Sequence, residues 1–332
     1  MAKTVLFHEL GGPEVMRLED VEVGEPGPGE VRVRVDAIGL NRAEVLFRSG
    51  RYIRPVERFP ARLGTEAAGV IEVVGEGVTG LRPGRPVSIV PAFSPNDYGV
   101  YAERAIVPAT AVLHRPEGLG AVEGAAVWMP YVTAYGALVE VCGMRPGDTV
   151  VLNAASSSVG LAAIHVANRV GATPIALTRT AAKKEALLEE GAPEVIVTES
   201  EDLVERVLAL TGGRGAEIVF DAVAGPGVTD LARVVAADGT HLVYGLQSGR
   251  PTPYPAIDIG MPPLNMRTYT LYETTTRPER LRRAEAFVVS GLRSGAFRPI
   301  VDRTFELSEI VEAHRYLESN SHIGKIVVTV PH

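Results

Sequence analysis

The chain has 332 residues, 46% of them hydrophobic, and a formal net charge of -7, enough length for two domains with a sizeable buried core. Its lysines and arginines are interspersed among acids rather than blocked, which excludes an electrostatic footprint for nucleic acid or an anionic membrane and leaves small molecules and other protein subunits as the expected partners. One cysteine, Cys142, rules out an intrachain disulfide and a multi-cysteine metal cluster. The start MAKTVLFHELGG lacks a signal-peptide profile and the most apolar stretch (150–177) is broken by polar residues, so a cytoplasmic location is expected.

Residues 1 to about 123 are rich in valine, glycine and proline, with short alternating segments such as EVRVRVDA (30–37). That texture predicts small antiparallel strands joined by turns, a barrel-like all-β unit. EPGPGEV and GLRPGRPV read as turn punctuation ahead of strands. From Val122 helices and strands alternate. A helix is predicted near 124–140, then a strand–turn–helix–strand unit over 148–177, a helix near 181–190, a strand at 195–198, a helix near 201–211, a strand at 217–223, a helix near 226–236 and a strand at 240–245. This order implies a parallel sheet with helices on both faces. TYTLYE (268–273) reads as one more strand, followed by helices at about 278–293 and 308–318 and a closing strand in IGKIVVTV.

Within DTVVLNAASSSVGLAAIHVANRVGATPIAL the small residues Ala155, Ser157 and Gly160 fall on the three glycine positions of G-x-G-x-x-G, where backbone approaches a pyrophosphate and a helix packs close on a strand. The turn residues Ala155, Ser156, Ser157, Ser158, Val159 and Gly160 are therefore the candidate phosphate cradle. Where NAD enzymes place an acid for the ribose, at the end of the second strand, this chain reads LTRTAAKKEAL. Thr178 and Thr180 offer hydroxyls there, and Arg179, Lys183 and Lys184 offer cations. That set suits the 2′-phosphate of NADPH, although a solvated helix start explains the same cations. Asp221, closing a strand, is expected to serve as a turn or helix cap.

Taken with GLNRAEVLFRSGRY (39–52), GTEAAGVIEVVGEGVTGLRPGRPV (64–87), YGVYAERAIVPA (98–109), VTAYGAL (132–138) and AASSSVGL (154–161), the chain resembles the medium-chain dehydrogenase/reductase superfamily, and within it the zinc-independent quinone oxidoreductase branch. The resemblance implies an α/β fold: a GroES-like β-barrel catalytic domain (1–123 and 275–332) and a Rossmann doubly wound cofactor domain (124–274). The turn departs from the branch at Ser157 and Ser158, where its members typically show two glycines. Asn41, Thr65 and Met129 match the positions of the catalytic zinc ligands in zinc-dependent relatives. None is a good zinc ligand, so no metal is expected.

The resemblance further places Thr133, Gly245 and Leu246 around the nicotinamide and Lys325 on the pyrophosphate. Asn41 and Tyr52 become the groups that hold a substrate carbonyl oxygen during hydride transfer, which without a metal must rely on hydrogen-bond donors. Arg48, Arg51 and Arg54 are candidates to steer an anionic substrate, and Phe93, Tyr98, Trp128, Tyr131 and Leu246 are expected to line the cleft. The implied function is an NADPH-dependent reductase of quinones or α,β-unsaturated carbonyls. Alternatives within the resemblance are an enoyl thioester reductase and a non-enzymatic NADPH-binding protein of the crystallin kind. A homodimer paired through TYTLYE is expected, because an unpaired strand of that character is a hazard.

Overall fold

The strand Glu30–Gly39 organises the first part of the molecule. Val31, Val33, Val35 and Ala37 alternate inward and are fully buried, as the sequence pattern predicts. Each valine so buried contributes about 1.5–3 kcal/mol. The strand pairs antiparallel with Ala67–Val74, with Arg104–Pro108 and, through residues 37–39, with the closing strand Lys325–Thr329. These belong to a seven-stranded sheet, and a three-stranded sheet built on Ala2–Phe7 joins it around one core that includes Phe7, Phe47, Ile71 and Tyr101. Phe7 and Phe47 meet edge to face with centroids 6.0 Å apart.

A computed structural model describes residues 1–332, and the chain divides into two units, residues 1–129 with 299–332, and residues 130–298. In the second unit six strands run parallel. In chain order they are Thr149–Leu152, Thr173–Thr178, Glu194–Val197, Ala216–Asp221, Val235–Val243 and Asn265–Thr268, and in space they stand in the order third, second, first, fourth, fifth, sixth. This is the strand order of a dinucleotide-binding Rossmann sheet, with the reversal between the first and fourth strands. The sheet's core includes Val151, Ile175, Leu177, Ile196 and Val219, with Val207 and Leu231 from the helices Leu203–Leu210 and Val228–Arg233.

Three expectations change. TYTLYE is not the last strand: the sixth strand is Asn265–Thr268, and a short helix begins at Tyr272. Tyr269 is buried instead, its hydroxyl 2.9 Å from Thr274 Oγ1, in a space that opens because Gly136 has no side chain: a Cβ there would lie 2.3 Å from the Tyr269 hydroxyl. The apolar alternation of the segment reflects this packing rather than a strand. The unit boundaries also move, from 123/124 and 274/275 to 129/130 and 298/299. The helix Pro278–Arg293 therefore lies in the second unit, where Phe287 packs on Tyr135 at 4.8 Å. Arg169 fixes it by donating to Ser290 Oγ and Ser294 Oγ at 2.7 and 2.9 Å, with its guanidinium over the Phe287 and Phe297 rings. Finally, the predicted helix over 124–140 is broken into Ala121–Gly124, Trp128–Ala134 and a π-helical stretch Tyr135–Val141.

The two ends of the second unit are tied together. Tyr131 Oη accepts the Arg298 N–H at 3.1 Å, lies 2.8 Å from the Arg298 carbonyl oxygen and 2.7 Å from His165 Nδ1. Glu190 bridges His165 and the Arg298 guanidinium at 3.0 and 2.9 Å. Burial lowers the His165 pKa, and Glu190 opposes that shift.

Candidate active site

In the second unit the helix Ser158–Val170 starts directly after the turn that follows the strand Thr149–Leu152, and it ends at Gly171 in the left-handed conformation (φ 92). Ser157 is its N-cap, and its hydroxyl oxygen accepts the Gly160 N–H at 3.1 Å. Serine in place of glycine at this position thus satisfies one of the helix's unpaired donors, a gain over glycine of roughly a few tenths of a kcal/mol. The N–H groups of the first helical turn that remain form the anion-attracting end of the helix. Gly160 is required by space: a Cβ would lie 2.4 Å from the Ala155 carbonyl oxygen. Ala154 holds φ 46 to make the turn. Ala155 is buried beneath the helix start, whereas Ser156, Ser158 and Val159 are partly exposed.

Beside the turn, the strand Thr173–Thr178 delivers Thr178, buried, and Arg179, exposed. Lys183 Nζ donates to Ser156 Oγ at 3.3 Å, placing a cation against the phosphate turn. At the sheet's reversal point, Asn153 and Asp221 close the two central strands. Asn153 Nδ2 donates to Asp221 Oδ1 at 2.5 Å and Asn153 Oδ1 accepts the Ala222 N–H at 2.7 Å. Asp221 Oδ1 also accepts the Val223 and Ala224 N–H groups, and His241 Nε2 lies 3.1 Å from Oδ2. Burial alone would raise the Asp221 carboxyl, but these hydrogen bonds outweigh it and hold the pKa below the usual value. Asp221 is therefore a turn-holding carboxylate, as the sequence suggests. Ala224 sits at φ 57, ψ -153, a region that side chains other than glycine rarely enter. Gly245 passes so close to this turn that a Cβ would lie 2.4 Å from the Ala222 carbonyl oxygen, and the exposed Leu246 follows it. Thr133 is buried in the helix Trp128–Ala134.

In the first unit a second polar cluster is buried. The helix Arg42–Arg48 begins after Asn41, and Glu44 reaches back to accept the Asn41 backbone N–H at 2.8 Å, half of a capping box. Thr65 Oγ1 donates to the other Glu44 oxygen at 2.9 Å. Glu66 Oε1 accepts the Met129 N–H at 2.7 Å. Positions 41, 65 and 129 thus meet in one hydrogen-bonded network. The cation in it is Lys325, whose Nζ lies 2.5 Å from Asn41 Oδ1 and 2.6 Å from Glu66 Oε2. Burial pushes the Glu44 carboxyl up to about 7, against the opposing pull of Lys325 and Thr65.

Of the expected site residues Asn41, Tyr52 and Lys325 in the first unit, Lys325 is the most deeply enclosed. Its side chain is 1% exposed and engaged with Glu66 and Asn41 inside the first unit. Asn41 and Lys325 are brought together, and Tyr52 is half-buried on the core with its ring edge-on to Phe47 at 6.1 Å. Arg48 is no steering group: it is buried, donating to the Gly11 carbonyl oxygen at 2.6 Å and pairing with Glu318. Trp128, Tyr131 and Phe93 are core residues, and the Tyr98 hydroxyl donates to Glu30 at 2.7 Å. Glu44 was not among the residues expected at the site. Its signal in the sequence is the spacing Asn41-x-x-Glu44 ahead of an apolar run. No group of three or more His, Cys, Asp or Glu side chains is gathered for a metal ion, and no helix is long and apolar enough to cross a membrane.

Two family models match the chain: "Alcohol dehydrogenase GroES-like domain" over residues 27–117 and "Zinc-binding dehydrogenase" over residues 190–328. A quinone oxidoreductase of Pseudomonas aeruginosa is 32% identical over 332 residues, covering 99% of both chains. A 2-haloacrylate reductase of a Burkholderia species is 29% identical, again over 99% of both. The crystal structure of the Escherichia coli quinone oxidoreductase complexed with NADPH superposes with a TM-score of 0.93 at 29% identity, covering 99% of this chain and 100% of that one. The chain belongs to the medium-chain dehydrogenase/reductase superfamily. Within it, similarity along the whole length places the chain in the quinone oxidoreductase-like branch, and it is an oxidoreductase with a GroES-like unit and a Rossmann unit.

Proposed function

We propose that the chain is an NADPH-dependent, zinc-independent reductase of quinones or α,β-unsaturated carbonyls. The observation that carries this reading is the buried Asn41–Lys325–Glu66 network, which links Asn41 to the Met129 N–H, while the three positions matched to metal ligands carry an amide, a hydroxyl and a thioether. NADPH, when bound, supplies the hydride. The turn 154–160, with Gly160 close on Ala155 and Lys183 beside Ser156, fits a pyrophosphate; Thr178, Arg179 and Lys183 would take the 2′-phosphate, and Thr133, Gly245 and Leu246 the nicotinamide end.

Asn41 donates to the acceptor's carbonyl oxygen as charge develops on it, and Tyr52 donates a second hydrogen bond. Conjugation in the acceptor spreads that charge, so two hydrogen bonds serve where an alkoxide would need a metal. The 2-haloacrylate reductase relative favours acceptors that carry a carboxylate, and the exposed Arg51, Arg54 and Arg58 are the cations that would meet one. The protein is read as a homodimer in the cytoplasm; with TYTLYE excluded, the strand Asn265–Thr268 at the sheet edge is the pairing candidate, and a monomeric mass by light scattering at micromolar concentration would count against it.

The test is steady-state turnover with NADPH against a quinone, an enone, an enoyl thioester and a saturated alcohol in reverse. Quinone or enone reduction should dominate. Tyr52→Phe should lower enone turnover more than quinone turnover. Faster oxidation of simple alcohols than reduction of any conjugated acceptor would overturn the reading.

A further inference from the structure

The orientation of the Asn41 amide is decided by Lys325. An ammonium only donates, so the amide atom 2.5 Å from Nζ is the oxygen, and the NH₂ end points the other way. One of its hydrogens goes to the Gly39 carbonyl oxygen at 3.1 Å. The second has only a 3.4 Å contact with Glu66 Oε2, an oxygen already taken by Lys325 and beyond the range of a good N–H···O bond. The space for this arrangement is built in: a Cβ on Gly39 would lie 2.9 Å from Lys325 Cε and 2.8 Å from Glu66 Oε2. Asn41 is 8% exposed, Lys325 1% and Glu66 0%, so of the three residues Asn41 has the most surface open to a small molecule.

We propose that Lys325 is the positioning residue for the hydride acceptor: its ammonium locks the Asn41 amide with Nδ2 as the donating end and, by bonding Oδ1, strengthens the remaining N–H as a donor to the substrate oxygen. The proposal rests on the reductase reading for its substrate, but the locked amide is a property of the protein alone. Glu66 is the counter-charge that keeps the buried ammonium in place, anchored through the Met129 N–H. Lys325 thus acts through Asn41 and does not touch the reacting atoms.

The experiment compares wild type, Lys325→Met, Lys325→Arg and the double variant Lys325→Met/Glu66→Gln, which removes both buried charges and so avoids leaving Glu66 unpaired. Three quantities are read: NADPH dissociation by fluorescence titration, kcat and KM for an enone, and the side-chain amide signals of selectively ¹⁵N-labelled asparagine. The expected result is a kcat ten- to a hundredfold lower in Lys325→Met and in the double variant, with NADPH affinity within threefold of wild type and KM little changed. Lys325→Arg should recover part of kcat. In wild type the Asn41 amide protons should be slow to exchange, and in the double variant they should shift and exchange faster.

Full kcat in a folded double variant would overturn the proposal, because a charge pair that only balances itself is dispensable as a pair. A tenfold loss of NADPH affinity with kcat retained would also overturn it and return Lys325 to the pyrophosphate. If wild type reduces no conjugated acceptor, the reductase reading fails, while a Lys325-dependent Asn41 amide signal still upholds the lock and an unchanged signal refutes it.

Discussion

Glu44→Gln tests the buried network through its pH dependence. The Glu44 carboxyl is fully enclosed, accepts the Asn41 N–H and the Thr65 hydroxyl, and is raised from 4.5 to about 7 by burial. An acid whose pKa is higher in the folded state keeps its proton there after the unfolded chain has lost it, so between pH 4.5 and 7 the folded state binds more protons and stability falls as pH rises. A shift of this size corresponds to roughly 3 kcal/mol, at about 1.4 kcal/mol per pH unit. Glutamine accepts one of the two hydrogen bonds, the Thr65 hydroxyl can turn to accept from the new amide, and the titration disappears.

The assay is urea unfolding of wild type and Glu44→Gln from pH 4.5 to 8. The stability of wild type minus that of the variant should decline by about 3 kcal/mol up to pH 7 and level off above it. His314, whose pKa is pushed down to about 3 by burial and by Arg48 and Arg42, has the opposite sign, losing stability as pH falls below 6.5. It is present in both proteins and cancels in the difference. A difference flat within about 0.5 kcal/mol across the range would refute the reasoning, since it would mean that Glu44 titrates alike in the folded and unfolded chain.

Gly160→Ala should destabilise the second unit by about 2–4 kcal/mol, because the new methyl meets only the Ala155 backbone and the Ser157 cap must open; calorimetry with an unchanged transition would contradict the close packing. Arg179→Ala should weaken NADPH roughly ten- to a hundredfold by removing about 1.5–3 kcal/mol of charge-assisted bonding, and leave NADH nearly unchanged, as read by fluorescence titration; equal losses for both cofactors would remove Arg179 from the 2′-phosphate. Elemental analysis after dialysis should find no stoichiometric zinc, and turnover should be insensitive to chelators; one tightly held zinc per chain would contradict the network at Asn41, Thr65 and Met129.

Local periodicity and turn chemistry made most of the architecture legible. The alternation of Glu30–Gly39 and the strand–turn–helix unit around Gly160 are both where the pattern put them, because each is specified by neighbours in sequence. What stayed hidden depended on distant partners. TYTLYE has the composition of a strand, and only the gap left by Gly136 and the hydroxyl of Thr274 reveal why Tyr269 is buried without being in the sheet. The helix Pro278–Arg293 could not be assigned to its unit without seeing Arg169 reach Ser290 and Ser294. Lys325 lies 284 positions from Asn41, so no local rule could pair them or show that the lysine of the closing strand is a buried partner of Glu66. Ser157 and Ser158 read as a departure from the family turn, yet Ser157 has a role of its own as the helix cap.

The Tyr131–Arg298 contact gives the second unit the topology of an insertion. The phenol of Tyr131, its second residue, is bonded to the backbone of Arg298, its last, so the intervening chain leaves and returns at neighbouring points. A segment closed in this way carries its own hydrophobic core and a complete six-stranded sheet and needs no chain from outside to finish either. Residues 130–298 thus form a block whose two ends lie side by side, with the boundary at 129/130 falling inside the helix Trp128–Ala134.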